Sequence, residues 1–168
     1  MARSLHWLMA AMIGVQLTVG WVAEEMARSP EKVTWMTGHK SLGVTILLFA
    51  VLRTWNKTLD PAPLPPAGTP RWEIHGATIS HWTLYFLMLA LPLSGWLVAD
   101  TAIFPWKLWW LVPAPDILAS GKELHEIGET LHKLLVWSLV ALLSLHILAA
   151  LRHHFIKRND VLRRMWRG

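Results

Sequence analysis

The chain contains no cysteine, which excludes disulfides, iron–sulfur clusters and thiolate metal sites together. Charge is scarce as well: Asp, Glu, Lys and Arg make up 16% of 168 residues, where soluble domains carry about 25%. One tyrosine and four phenylalanines stand beside twelve tryptophans, so the aromatic content is concentrated in the residue that favours the membrane–water boundary. What is present in quantity is hydrophobic, at 54%, a composition suited to lipid. The formal charge of +5 does not imply nucleic-acid binding. The basic residues gather at the ends of apolar runs and leave no soluble face to dock on.

Residues 5–23, 74–99 and 134–151 hold no Asp, Glu, Lys or Arg, and residues 33–52 hold only Lys40. Each run approaches or exceeds the roughly 20 residues that a helix needs to cross a bilayer. The pattern predicts an all-α fold, a four-helix transmembrane bundle forming one membrane-embedded domain over residues 1–168. The predicted spans lie at about 4–23, 33–53, 72–99 and 123–156. The first run is expected to be retained. It is long for a signal-peptide core, and Glu24 and Glu25 follow it where small cleavage-site residues would stand. Between spans, DPAPLPPAGTP (60–70) is a proline-rich connector that cannot be helical. WKLWWLVPAPDIL (106–118) is aromatic, broken by Pro113 and Pro115, and expected in the headgroup region. Trp21, Trp35, Trp55 and Trp72 fall at span ends, as interfacial anchors do.

Lys and Arg set the orientation. Arg3, Arg53, Lys57, Arg71, Arg152, Lys157, Arg158, Arg163, Arg164 and Arg167 share one side, while Arg28, Lys32, Lys40, Lys107, Lys122 and Lys133 share the other. The richer side is expected to be cytoplasmic, with both termini there, in a multi-pass membrane protein. The outer side also carries eight acids, including Asp116, so its six cations leave a net −2 (6 − 8). Lys40 and Lys133 nevertheless each follow a histidine of interest and make the local potential there positive.

Nine histidines hold the chemistry, because a titratable group inside a bilayer is costly and usually marks function. His132 and His146 lie 14 residues apart, close to four full turns, and share a face of the last span. Their axial separation of about 21 Å is too long for one metal but suits one haem near each surface. Each haem iron then needs a second ligand from another helix. His39 opens the second span level with His132, and His6 opens the first nearer to His146. His81 lies at a depth close to that of His146 and competes for the inner ligand position or serves a quinone site. His153 follows His146 by seven residues on the same face and is a candidate to flank a propionate or quinone. His75, His125 and His154 read as interfacial. Arg53 follows His39 by 14 residues, which places it toward the inner haem as a propionate contact or a topology residue. Gly14 and Gly43 are candidates to let backbone approach a flat macrocycle.

Four segments carry a resemblance: LHWLMA (5–10), GHKSLG (38–43), SHWTLYFLMLALPLSGW (80–96) and LHILAALRHHFIKRNDVLRRM (145–165). They resemble the bacterial cytochrome b561 family, itself similar to the cytochrome b subunits of nickel hydrogenase and formate dehydrogenase. The resemblance implies two haem b groups, with His6 and His146 as axial ligands of the inner one and His39 and His132 of the outer one. Lys40 and Lys133 would then be propionate contacts. It also implies electron transfer through the membrane between a periplasmic donor, superoxide in some members, and ubiquinone. The alternative it implies is a haem-bearing anchor that docks a separate dehydrogenase or soluble cytochrome. A divalent-cation transporter built on the same histidines is the remaining class.

Overall fold

The computed structural model describes residues 2–59, 68–102, 105–115, 117–118 and 120–166. The connector at 60–67, and with it most of the expected proline-rich segment, lies outside the described residues, as do Asp116 and Arg167. Four long helices form: α1 (Ala2–Glu25), α2 (Pro30–Leu59), α3 (Arg71–Asp100) and α4 (Lys122–Phe155). A short α5 (Val161–Trp166) follows. All four long helices are long and apolar enough to span a bilayer. At 24 to 34 residues they reach about 36–51 Å, more than the roughly 30 Å hydrocarbon core, so their ends project into the headgroup layers.

The interior is thin. Leu5 and Met9 of α1 pack on Ile46 and Ala50 of α2, and Leu87 and Leu91 of α3 pack on Leu139 of α4. Ile13 touches both groups. Large apolar side chains such as Leu48, Ile79, Leu134 and Leu148 are exposed, which in a bilayer means facing lipid. Hydroxyls inside the spans bond back to their own helix: Thr18 to the Gly14 carbonyl, Thr54 to Ala50 and Ser144 to Val140. Each of these hydroxyls is thereby satisfied within its own helix and is not left to lipid. Backbone packing joins α1 to α2, α2 to α3 and α3 to α4, but no comparable seam joins α1 to α4. Long side chains bridge that fourth side, including a Trp21–Trp137 edge-to-face contact and a Lys133–Glu24 ion pair at 3.5 Å.

At the inner end, α5 folds back over the start of α1. Trp7 Nε1 donates to the Met165 carbonyl at 2.9 Å, and Trp7 stacks edge-on against Trp166. Glu73, whose side chain is only 8% exposed, ties α3 to the end of α4 through Arg152 and Lys157. At the outer end, residues 107–113 form a hairpin of two short strands, β1 (Lys107–Leu108) and β2 (Val112–Pro113). Its turn places Trp109 and Trp110 at φ 49° and 60°, the left-handed region that suits Asn-Gly far better than two tryptophans. The strain, of order 1–3 kcal/mol per residue, is offset from outside the hairpin. The Trp109 amide donates to Ser41 Oγ at 2.8 Å, and Trp110 lies over Gly38. Buried Asp100, at the end of α3, accepts the amides of Ile117 and Leu118.

Asp100→Ala should therefore free the outer loop at a cost of about 1.5–3 kcal/mol, the range for hydrogen bonds to a charged group. Hydrogen exchange should accelerate at the Ile117 and Leu118 amides and not in α1. Unchanged protection there would show that Asp100 does not hold the loop.

Candidate functional site

All four long helices contribute to an apolar cavity of about 350 Å³ in the outer half of the bundle. His39 of α2 and His132 of α4 face each other across it with ring centres 6.4 Å apart and planes at 90°. In the inner half, His6 of α1 and His146 of α4 stand 6.3 Å apart at 65°. Two imidazoles on opposite sides of one metal, each with a metal–nitrogen bond of about 2 Å, set their ring centres roughly 6 Å apart. Both pairs meet that separation. His81 of α3 lies nearer to His146, at 5.5 Å, and remains part of the inner cluster as its depth in the span predicts. Among the described residues, no group of three or more His, Cys, Asp or Glu converges on one ion position.

The surroundings of the rings also fit ligands to iron. A Cβ built on Gly20 would stand 2.7 Å from His39 Cε1, and one on Gly95 would stand 3.2 Å from His132 Cε1. Each outer imidazole therefore lies in a notch cut by a glycine of the preceding helix. Ser94 donates its only hydrogen to the Leu91 carbonyl at 2.8 Å, so its oxygen accepts from His132 Nδ1 at 2.9 Å. That fixes the tautomer and leaves Nε2 of His132 free to bind a metal. Gln16 Nε2 donates to the His39 carbonyl at 3.0 Å and stands 3.4 Å from His39 Nε2. Gly20, Gly95, Ser94 and Gln16 were not foreseen from sequence. Their only signal is a small or polar residue within an apolar run, and ordinary packing uses the same residues. Of the two glycines expected to admit a macrocycle, a Cβ on Gly43 would stand 3.3 Å from the Gln16 amide nitrogen, and one on Gly14 would meet nothing within 4 Å.

The charged candidates are dispersed around these pairs. Lys40 lines the outer cavity with its ammonium 5.6 Å from the Trp106 ring, and Lys133 lines it while paired to Glu24. Arg53 donates to His6 Nδ1 at 3.0 Å and lies 5.7 Å from the Tyr85 ring. His153 turns away from the inner pair. Asn159 meets its Nδ1 at 2.8 Å, and its Nε2 is 4.0 Å from the Glu73 carboxylate. His125 sits at the outer boundary against Thr101 and Glu129.

A multi-pass helical bundle with imidazoles facing in pairs across its interior defines a membrane cytochrome of the b type. The chain belongs to the prokaryotic cytochrome b561 family, whose profile it matches over residues 1–168. It is 29% identical to cytochrome b561 homolog 2 of Escherichia coli K12, covering 98% of this chain and 88% of that protein. It is 28% identical to a Yersinia pestis protein named probable superoxide oxidase CybB, over 96% of this chain and 90% of the relative. It is 27% identical to cytochrome b561 homolog 1 of E. coli K12, over 96% and 92%. The protein is thus a haem-binding, electron-transferring protein of the bacterial inner membrane.

The glycine notches yield a graded prediction. Gly20→Ala should cost about 1–3 kcal/mol by overpacking, and Gly95→Ala less, because its Cβ meets the ring at 3.2 Å rather than 2.7 Å. Thermal unfolding in detergent should rank them in that order. A Gly20→Ala protein that melts at or above Gly95→Ala would contradict the notch.

Proposed function

We propose that the chain is a single di-haem domain, its termini cytoplasmic, that carries electrons from a periplasmic donor to ubiquinone. The observation that supports this most is the matched pair of cross-helix imidazole separations, 6.4 Å outside and 6.3 Å inside. In this reading His39 and His132 hold the outer haem, and His6 and His146 the inner one. Haems held there would supply one-electron carriers, and the residues that would hold them on α4, His132 and His146, lie about 21 Å apart along the helix. The protein binds each at fixed depth, keeps lipid-facing apolar surface around it, and orients the ligand rings. His132 is oriented by the Ser94–Leu91 relay.

Arg53 follows from the same reasoning. A guanidinium only donates, so in its contact with His6 Nδ1 that nitrogen carries no hydrogen. Were Nε2 of His6 to bind iron, Nδ1 would carry the ring hydrogen instead, and Arg53 would need another acceptor. A haem propionate is the acceptor of matching charge and geometry. His81 then borders the quinone, close to the inner pair.

Superoxide is the donor the reading favours. The Y. pestis relative is named for that activity, and Lys40 presents a positive charge on the wall of the outer cavity. Lys133 contributes less to that field, being paired with Glu24. Anaerobic stopped-flow with superoxide and a soluble ubiquinone should give haem reduction followed by quinol formation. No haem reduction by superoxide, together with copurification of a stoichiometric dehydrogenase, would instead assign the chain as an anchor.

His132→Ala should lose mainly the outer haem and His146→Ala mainly the inner, read by haem-to-protein ratio and redox titration. Equal loss of both haems from each folded variant would count against two sites. His81→Ala should keep two haems and slow quinone reduction. If it loses the inner haem while His6→Ala keeps it, the inner ligand is His81. Arg53→Gln should lower the inner midpoint by some tens of millivolts, the size expected for one charge about 10 Å away at an effective dielectric near 20. Arg53→Lys should insert normally and bind both haems. Unchanged midpoints in both variants would leave Arg53 as a topology residue.

A further inference from the structure

A metal-bound imidazole needs an acceptor for its second nitrogen, which fixes the ring and raises its basicity. His132 has one in Ser94. His39 lacks one at full hydrogen-bonding geometry among the described residues: its Nδ1 is buried and unpaired, with the Gln16 backbone carbonyl the acceptor that faces the ring. A buried polar atom left unpaired costs about 1–3 kcal/mol and is uncommon. A second such atom, Gln16 Oε1, lies in the wall of the same cavity. The two belong to side chains already in contact, through the 3.0 Å bond from Gln16 Nε2 to the His39 carbonyl. Gly43 makes the room for that amide, since a Cβ there would stand only 3.3 Å from Gln16 Nε2, and Gly20 makes the room for the ring. One orphan atom can only accept. The other carries a hydrogen whenever Nε2 gives its lone pair to a metal.

We propose that Gln16 is a positioning residue of the outer haem site, its side-chain carbonyl accepting the Nδ1–H of His39 once Nε2 binds iron. This rests on His39 being an outer haem ligand. An acceptor on Nδ1 makes the imidazole richer in electrons, which favours ferric iron and lowers the outer midpoint. It also holds the ring plane relative to His132. The outer ligands are then held by two different devices, a hydroxyl relay on α3 and an amide on α1. The backbone carbonyl of Gln16 faces the His39 ring too, so the side chain must be tested by itself.

The test uses the full-length holoprotein in detergent, with redox titration and low-temperature electron paramagnetic resonance. Gln16→Met, close in shape but without an acceptor, should retain two haems, raise the outer midpoint and shift the outer low-spin signal, leaving the inner haem as it was. Gln16→Glu keeps a carbonyl acceptor in the same place and should leave the outer midpoint at or below that of the parent. Loss of the outer haem from Gln16→Met but not from Gln16→Glu would support the same assignment. An unchanged outer midpoint and signal in Gln16→Met would overturn it and hand the role to the backbone carbonyl. Equal disturbance in both variants would overturn it as well, since the acceptor would then be irrelevant. His39→Ala separates this from the underlying reading: if that variant keeps its outer haem, His39 is not the ligand, whatever Gln16 does.

Discussion

An imidazole inside a bilayer has two nitrogens to satisfy and almost nothing to satisfy them with, because the hydrocarbon offers no partner and the helix backbone is already paired. Every other feature of this bundle's interior answers that demand. The four central histidines face one another in pairs at 6.4 and 6.3 Å, a separation that suits a shared metal and is too wide for a direct hydrogen bond. Polar side chains nearby are directed at three of those rings: Ser94 at His132, Gln16 at His39 and Arg53 at His6. Glycines then open the space where the rings must lie. The interior is organised around the placement of these rings, and the sparse apolar core at Leu5, Met9, Ile46 and Ala50 fills what is left.

The packing of the helices follows the same logic. Three neighbouring pairs have their backbones in contact, and the fourth pair, α1 with α4, is joined by side chains alone. Each histidine pair includes α4, with its partner on α2 outside and on α1 inside. The Trp21–Trp137 contact and the Lys133–Glu24 pair keep the α1–α4 side closed toward the outer surface.

Much of this was legible in the sequence, and the reason is periodicity. Charge-free runs mark the spans because lipid tolerates little else, and 14 residues between His132 and His146 fix a common face without knowledge of any neighbour. The residues missed depend on which helix stands opposite. Gly20 and Gly95 look like any small residue in a span until His39 and His132 are seen against them. Gly14, chosen for its spacing from His6, turns out to face open space. Gln16 is one polar residue among apolar ones, and its partner is 23 positions away. The outer hairpin was hidden for a different reason. Its turn residues contradict local preference, so no propensity argument could find it.

That contradiction has a kinetic side. A hairpin whose turn is made of Trp109 and Trp110 has no tendency to form on its own, and isolated two-stranded hairpins are marginal even with favourable turns. Its template is a groove on a transmembrane helix, at Gly38, Ser41 and Thr45. The hairpin can therefore fold only after α2 has been inserted and brought to the correct height in the membrane. Its formation acts as a register check, since a helix seated one turn too deep would carry Ser41 about 5 Å below the loop that must reach it.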